Sequence, residues 1–156
     1  MANERYTEKA VRSLLAYIES QLGTELDAIE TEQSLTSGAL GDPSDFVPAM
    51  VADDNRSPLV EIYDAGFRFE DQLNSIAVVD CVVAISFASD CDVEAGKRMM
   101  QRYHTALLNT LRDNPTLSGS VIQSIIGGAD TEATRGDDST TRFSLEQPVE
   151  VWLQDA

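Results

Sequence analysis

The segment Ser75 to Ala88 constrains the fold more than any other part of the sequence, because it reads as a β-strand that is apolar on both faces. Ala77, Val79, Cys81, Val83, Ile85 and Phe87 alternate on one side. Ile76, Val78, Asp80, Val82, Ala84 and Ser86 alternate on the other. Such a strand belongs at the centre of a sheet or in a contact between subunits. The rest of the chain must supply neighbouring strands and a cover for them.

Two segments have the spacing of covering helices. Val11, Leu14, Leu15, Ile18 and Leu22 recur on one helical face, which predicts a helix from near Glu4, capped by Asn3 and stopped at Gly23. Ser89-Asp90-Cys91-Asp92 opens a second helix, with acids at the end where the helix dipole is positive. Its stripe is Ala95, Met99, Tyr103, Leu107 and Leu111, and Asn114-Pro115 ends it.

The neighbouring strands are Leu59 to Tyr63 (ended by Asp64-Ala65-Gly66), Val121 to Ile126 (broken by Gly127-Gly128) and Phe143 to Leu153. Residues 67–74 read as turn or a short edge strand, and 129–140 as a polar connection. Pro148 suggests an edge or a bulge in the last strand, whose Phe143, Leu145, Val149, Val151 and Leu153 share a face. Short links between consecutive strands predict an α+β fold: an antiparallel sheet of four to five strands with two helices on one face. The 156 residues suit one domain, 1–156, with a long acidic loop at 24–57. That loop holds eight acids and one base, Arg56, and a helical turn is expected near Leu26 to Ile29. A loop of this length either contacts a partner or is solvated surface.

Charge decides the solvent. The chain has 27 acidic and 11 basic residues, a net charge of -16, and only two lysines, Lys9 and Lys97. Self-repulsion at that charge is screened in molar salt, where the Debye length falls to about 3 Å. Acid spread along the whole chain with little Lys predicts adaptation to concentrated salt. It also disfavours binding to a nucleic-acid backbone. No apolar run reaches the roughly 18 residues of a membrane span, and Met1 to Lys9 has no signal-peptide core, so no membrane partner is expected.

No motif predicts catalysis or a cofactor. Asp90, Asp92 and Glu94 resemble the opening of a calcium loop, but Ala95 stands where the turn glycine belongs and Gln101 where the closing Glu belongs. The single histidine, His104, has no second ligand at zinc spacing. Cys81 and Cys91 make no disulfide framework, and Cys81 reads as a small buried hydrophobe. Gly127-Gly128 lacks the helix and Lys of a phosphate loop. Lys97, Arg98, Arg102 and Arg112 concentrate positive charge on the second helix. They either compensate nearby acids or meet an acidic neighbouring subunit.

The run Arg102-Tyr103-His104-Thr105-Ala106-Leu107-Leu108-Asn109-Thr110-Leu111, followed by Asn114-Pro115-Thr116-Leu117-Ser118-Gly119-Ser120-Val121, resembles a pattern in tail terminator and head–tail joining (neck) proteins of long-tailed viruses. There, a helix of the form R-Y-x-x-A-[LI]-x-x-x-L runs into a turn like N-P-T-L-x-G-x-V. The order of elements is also similar. The resemblance implies a non-enzymatic structural protein of a tailed virus, here one infecting a haloarchaeal host, assembled in the cytoplasm and located in the virion. It implies a homo-oligomeric ring, often a hexamer, between the tail tube protein and the head-side connector, with DNA passing through the lumen unbound. Interface residues expected on this basis are Ile76, Val78 and Val82 on the second strand face, and Arg98, Arg102 and Arg112 facing an acidic neighbour. Other readings are a head completion or tail-tube protein of the same virion, or a non-viral halophilic binding domain.

Overall fold

The computed structural model describes residues 2–35, 40, 43, 45–47, 58–89, 93–135 and 141–154. The elements are α1 (Ala2–Glu32), β1 (Asp45–Val47), β2 (Leu59–Asp71), β3 (Ile76–Ser89), α2 (Val93–Asp113), β4 (Gln123–Ile126), β5 (Asp130–Arg135) and β6 (Thr141–Gln154). The sheet runs β1-β2-β3-β6-β4, and β5 also pairs with β6. Six strands therefore occupy five positions, with β4 and β5 end to end along one edge of β6. All pairings are antiparallel except β1 with β2. Both helices cover one face, as the sequence implies.

Helix α1 does not stop at Gly23. Leu26 and Ile29 continue the buried stripe of Leu14, Ile18 and Leu22. Burying each contributes about 2 kcal/mol, against a cost of about 1 kcal/mol for glycine inside a helix. Residues 24–32, about the first quarter of the expected acidic loop, are thus helix, and β1 lies further along it. The helix ends in a Schellman motif: Leu35 N donates to Glu30 O (2.8 Å) and Ser34 N to Thr31 O (3.2 Å), with Ser34 at φ 56°. Glu30, buried at 3% exposure, accepts from Leu40 N at 2.8 Å and so holds the chain after the cap.

Strand β2 does not stop at Asp64-Ala65-Gly66 either. Asp64 pairs with Cys81 and Gly66 with Asp80, so Ala65 is an extra residue, a β-bulge. The bulge changes which residues face the helices. Val60 and Ile62 point there before it, and Phe67 and Phe69 after it, opposite Val79 and Ala77. Tyr6 of α1 packs on both rings, at 5.9 and 5.7 Å between centroids, and donates to Ser75 O at 3.1 Å. Residues 67–74, expected as turn or a short edge strand, are the far end of β2 as far as Asp71 and then the turn of a long hairpin.

β3 and β6 form an unbroken ladder from Ile76↔Gln154 to Ser89↔Thr141. β6 is a central strand, so Pro148 is neither at an edge nor in a bulge. Its carbonyl accepts from Gly127 N at 2.9 Å, on the side where β4 ends (Ile126↔Val149) and β5 begins (Asp130↔Glu146). A strand residue's N and O point the same way, so the donor that proline lacks falls in this gap. β5 lies in the expected polar connection. Its sequence, Asp-Thr-Glu-Ala-Thr-Arg, has no apolar alternation, because backbone pairing with β6 rather than side-chain burial holds it.

Between α2 and the ladder, Phe143 stacks on Phe87 at 5.2 Å and Phe87 meets Tyr103 at 5.6 Å. Gly96 lets the helix lie on this cluster, since a Cβ there would overlap the Phe143 ring. Gly96→Ala is expected to lower stability by about 1–3 kcal/mol despite alanine's better helix propensity. Ser34→Gly should raise it by up to about 1 kcal/mol, by removing a Cβ from the left-handed region. Thermal unfolding in molar salt measures both, and a stabilised Gly96→Ala would contradict the packing described.

Candidate interaction surface

The helix-free face of the sheet carries the second side of the Ser75–Ala88 strand. Ile76 and Val82 are half-buried there, but Val78 is fully covered within the chain. Its cross-strand neighbours are Arg68 on β2 and Trp152 on β6. The Arg68 side chain crosses β3 to reach Glu150 of β6 at 3.1 Å, with Asp80 at 3.5 Å and Glu70 at 3.7 Å. Trp152 Nε1 donates to the same Glu150 Oε1 at 3.4 Å. Val78 therefore fills the space beneath an arginine and a tryptophan and offers no surface of its own to a partner.

Beside this ionic cluster the face is concave. The bulge at Ala65, together with Val82, Pro148 and Ile125, lines a largely apolar groove of about 330 Å³ across four strands, with Asp80 and Glu150 on its rim. Nearby, burial raises the Tyr63 hydroxyl above its usual pKa, helped by the charges of Glu146 and Glu61.

The basic residues of α2 serve the chain first. Arg98 pairs with Glu94 one helical turn away at 3.2 Å. Arg102 Nε donates to Gln33 Oε1 at 2.7 Å, tying α2 to the end of α1. Arg112 lies exposed in the last turn, where a cation is favoured by the helix dipole. Lys97 is on the rim of a cleft of about 420 Å³ between α2 and β5, floored by Met100 and Phe143. Lys97, Arg98 and Arg102 thus share one stretch of α2, away from Ile76 and Val82.

His104 belongs to a partly buried relay. Its Nε2 lies 2.9 Å from Gln147 Oε1, and the Gln147 amide donates to Gly127 O (2.7 Å) and Pro148 O (2.9 Å). With the amide so oriented, His104 is the donor at Nε2. Gln147 is the one polar residue in the alternation of β6 between Phe143 and Leu153, a signal the sequence carries. It bridges α2 to the gap between β4 and β5. Cys81 is a free, buried thiol, and burial, with the charges of Asp64 and Asp80, pushes its pKa up to about 12. Asp90, Cys91 and Asp92 lie outside the described residues. Among the described residues no group of three or more His, Cys, Asp or Glu is placed to hold a metal, and no helix is long and apolar enough to cross a membrane.

The turn after α2 is built with care. Leu117, Ser118 and Gly119 are all left-handed, at φ 50°, 61° and 85°. Buried Leu117 anchors the turn, Leu117 N donates to Asn114 O at 3.0 Å, and Ser124 N reaches back to Pro115 O at 2.6 Å. The Asn114–Val121 run thus sets the start of β4 against the end of α2.

No protein-family model and no curated protein matches the chain. Among solved structures, one described as the virion of a native gene transfer agent particle is similar at a TM-score of 0.37 and 10% identity, over 86% of this chain and 94% of that one.

At the far end of α2, Asp113 hydrogen-bonds the Glu25 carboxyl of α1. Burial raises the Glu25 pKa, and the charge of Asp113 and the shared proton raise it further. A folded-state pKa above the unfolded value means that this pair favours folding at acid pH. That contribution is lost as pH rises through the folded pKa. Glu25→Gln is therefore expected to raise the melting temperature at neutral pH and to give no gain at pH below the carboxylate range. The gain should shrink in molar salt as the repulsion is screened. Melting curves across pH at two salt concentrations test this, and a pH-independent effect would contradict it.

Proposed function

We propose that the chain is a structural protein of a tailed-virus particle, a tail terminator or head–tail joining protein that forms a ring between the tail tube and the head-side connector. The observation that carries this reading is the turn at Asn114–Val121. The residues that resemble the terminator pattern are those that build a compact left-handed turn with a buried leucine and join the second helix to the closing strands. The order around it, a long first helix, a β-hairpin, a second helix and three closing strands, also supports the reading. The surface charge is compatible with it as well. At a net charge of -16, a ring lumen repels passing DNA rather than gripping it, which suits a conduit.

In this reading the particle is that of a virus whose host lives in concentrated salt. Val82 and the exposed arginines of α2 remain subunit-contact candidates, whereas Val78 supports the face from beneath. Immunogold electron microscopy of purified particles tests the assignment. Label at the junction of head and tail is expected. A chain absent from particles, or distributed over the capsid shell, would end it.

A further inference from the structure

At a net charge of -16, two copies of this chain repel each other over most of their surface, so contact is easiest where apolar surface interrupts the charge. Two exposed apolar features meet that condition, one convex and one concave. The convex one is Leu73, 98% exposed at the tip of the β2–β3 hairpin, with uncharged Gln72, Asn74 and Ser75 around it. A lone exposed leucine is ordinary, but this one is held in place. Asp71 Oδ1 accepts from Leu73 N (3.0 Å) and Asn74 N (3.2 Å), and Asn74 Nδ2 donates to Asp71 Oδ2 at 2.6 Å. Gln154 Nε2 donates to Asn74 O at 3.0 Å and the Tyr6 hydroxyl to Ser75 O at 3.1 Å. The Asp71 carboxylate stays charged but is held by the backbone and side chain of its own turn, and the ordering that binding would require is already done.

The concave feature is the groove of Ala65, Val82, Ile125 and Pro148. One wall, β4, lies in Asn114–Ala129, the longest run of the sequence without Asp, Glu, Lys or Arg. Ile125 is 42% exposed there. The rim acids Asp80 and Glu150 are both engaged by Arg68. The groove is therefore the counterpart of the tip in shape: apolar along its floor, with its rim acids held by one arginine, and roomy enough for a branched aliphatic side chain.

We propose that Leu73 of one copy seats in the Ala65–Val82–Ile125–Pro148 groove of a second copy, joining copies head to tail. Knob and groove are different parts of the surface, so the contact is heterologous, and repetition closes into a ring when the rotation allows. This rests on the ring reading above and supplies its contact. Molar salt favours it by screening the repulsion that remains.

The test is mass photometry and sedimentation of the full chain in molar salt, as wild type, Leu73→Asp and Ile125→Asp. Leu73 is almost fully exposed, so its variant should keep the wild-type melting temperature; Ile125 lies opposite Glu150, so Ile125→Thr, which adds no charge there, is run beside Ile125→Asp and should give the same loss of association. Wild type is expected to assemble, and each variant to associate about 30-fold or more weakly, as for loss of a central contact residue. Mixed together, the variant lacking the knob and the variant lacking the groove should form a heterodimer through their one intact pair, and nothing larger. If wild type forms rings and both variants form them equally well, the contact is overturned while the ring reading stands. A wild type that stays monomeric, or that binds only a different purified virion protein, overturns the second-copy contact. The particle-labelling experiment then decides the virion reading by itself.

Discussion

The β3–β6 ladder is the constraint on which the rest of the structure depends. It is the longest pairing in the sheet, and every other strand except β1, which pairs with β2, lies against one of its two strands. β2 lies along the outer side of β3, and β4 and β5 divide the outer side of β6. The inward residues of the ladder, from Ala77 to Phe87 and from Phe143 to Leu153, form the floor on which α1 and α2 sit. An apolar floor of that length needs more than one helix to cover it. That is why α1 continues through Gly23 and why α2 carries a glycine where it meets Phe143.

The parts of this fold that were legible in the sequence are those governed by burial. The two helical stripes, the doubly apolar strand and the alternation of β6 all report side chains that must leave water, and all lie in the core. The misreadings arise where the backbone, rather than side-chain hydrophobicity, decides. Gly23 looks like a helix stop, but the stop is Ser34, whose left-handed conformation leaves no mark in composition. Asp64-Ala65-Gly66 looks like a strand end, yet a bulge and a turn draw on the same residues. β5 is invisible because an exposed edge strand needs no apolar residues to pair.

The interaction surface was less legible for a related reason. Periodicity assigns Ile76, Val78 and Val82 to one face, but it cannot tell that Arg68 reaches across β3 and that Trp152 flanks it from β6, between them covering Val78. The arginines of α2 read as free charge in one dimension. In three dimensions, Arg98 and Arg102 have partners in Glu94 and Gln33. The groove draws on four strands and exists only because a bulge, a proline and a glycine fall side by side once the sheet is assembled.

The division of one sheet edge between β4 and β5 has a consequence for how the protein behaves when crowded. A long free edge invites indiscriminate strand addition and, in the limit, fibrils. Here the free edge is cut into pieces of four and six residues by a gap around Gly127 and Gly128, and the Gln147 amide fills part of that gap with its own hydrogen bonds. Along this edge an incoming strand finds no continuous template, whereas on the opposite side of the sheet β1 covers only Leu59–Glu61 of β2. Screening by salt, which removes the electrostatic barrier to self-contact, thus opens no long template for strand addition beside β6.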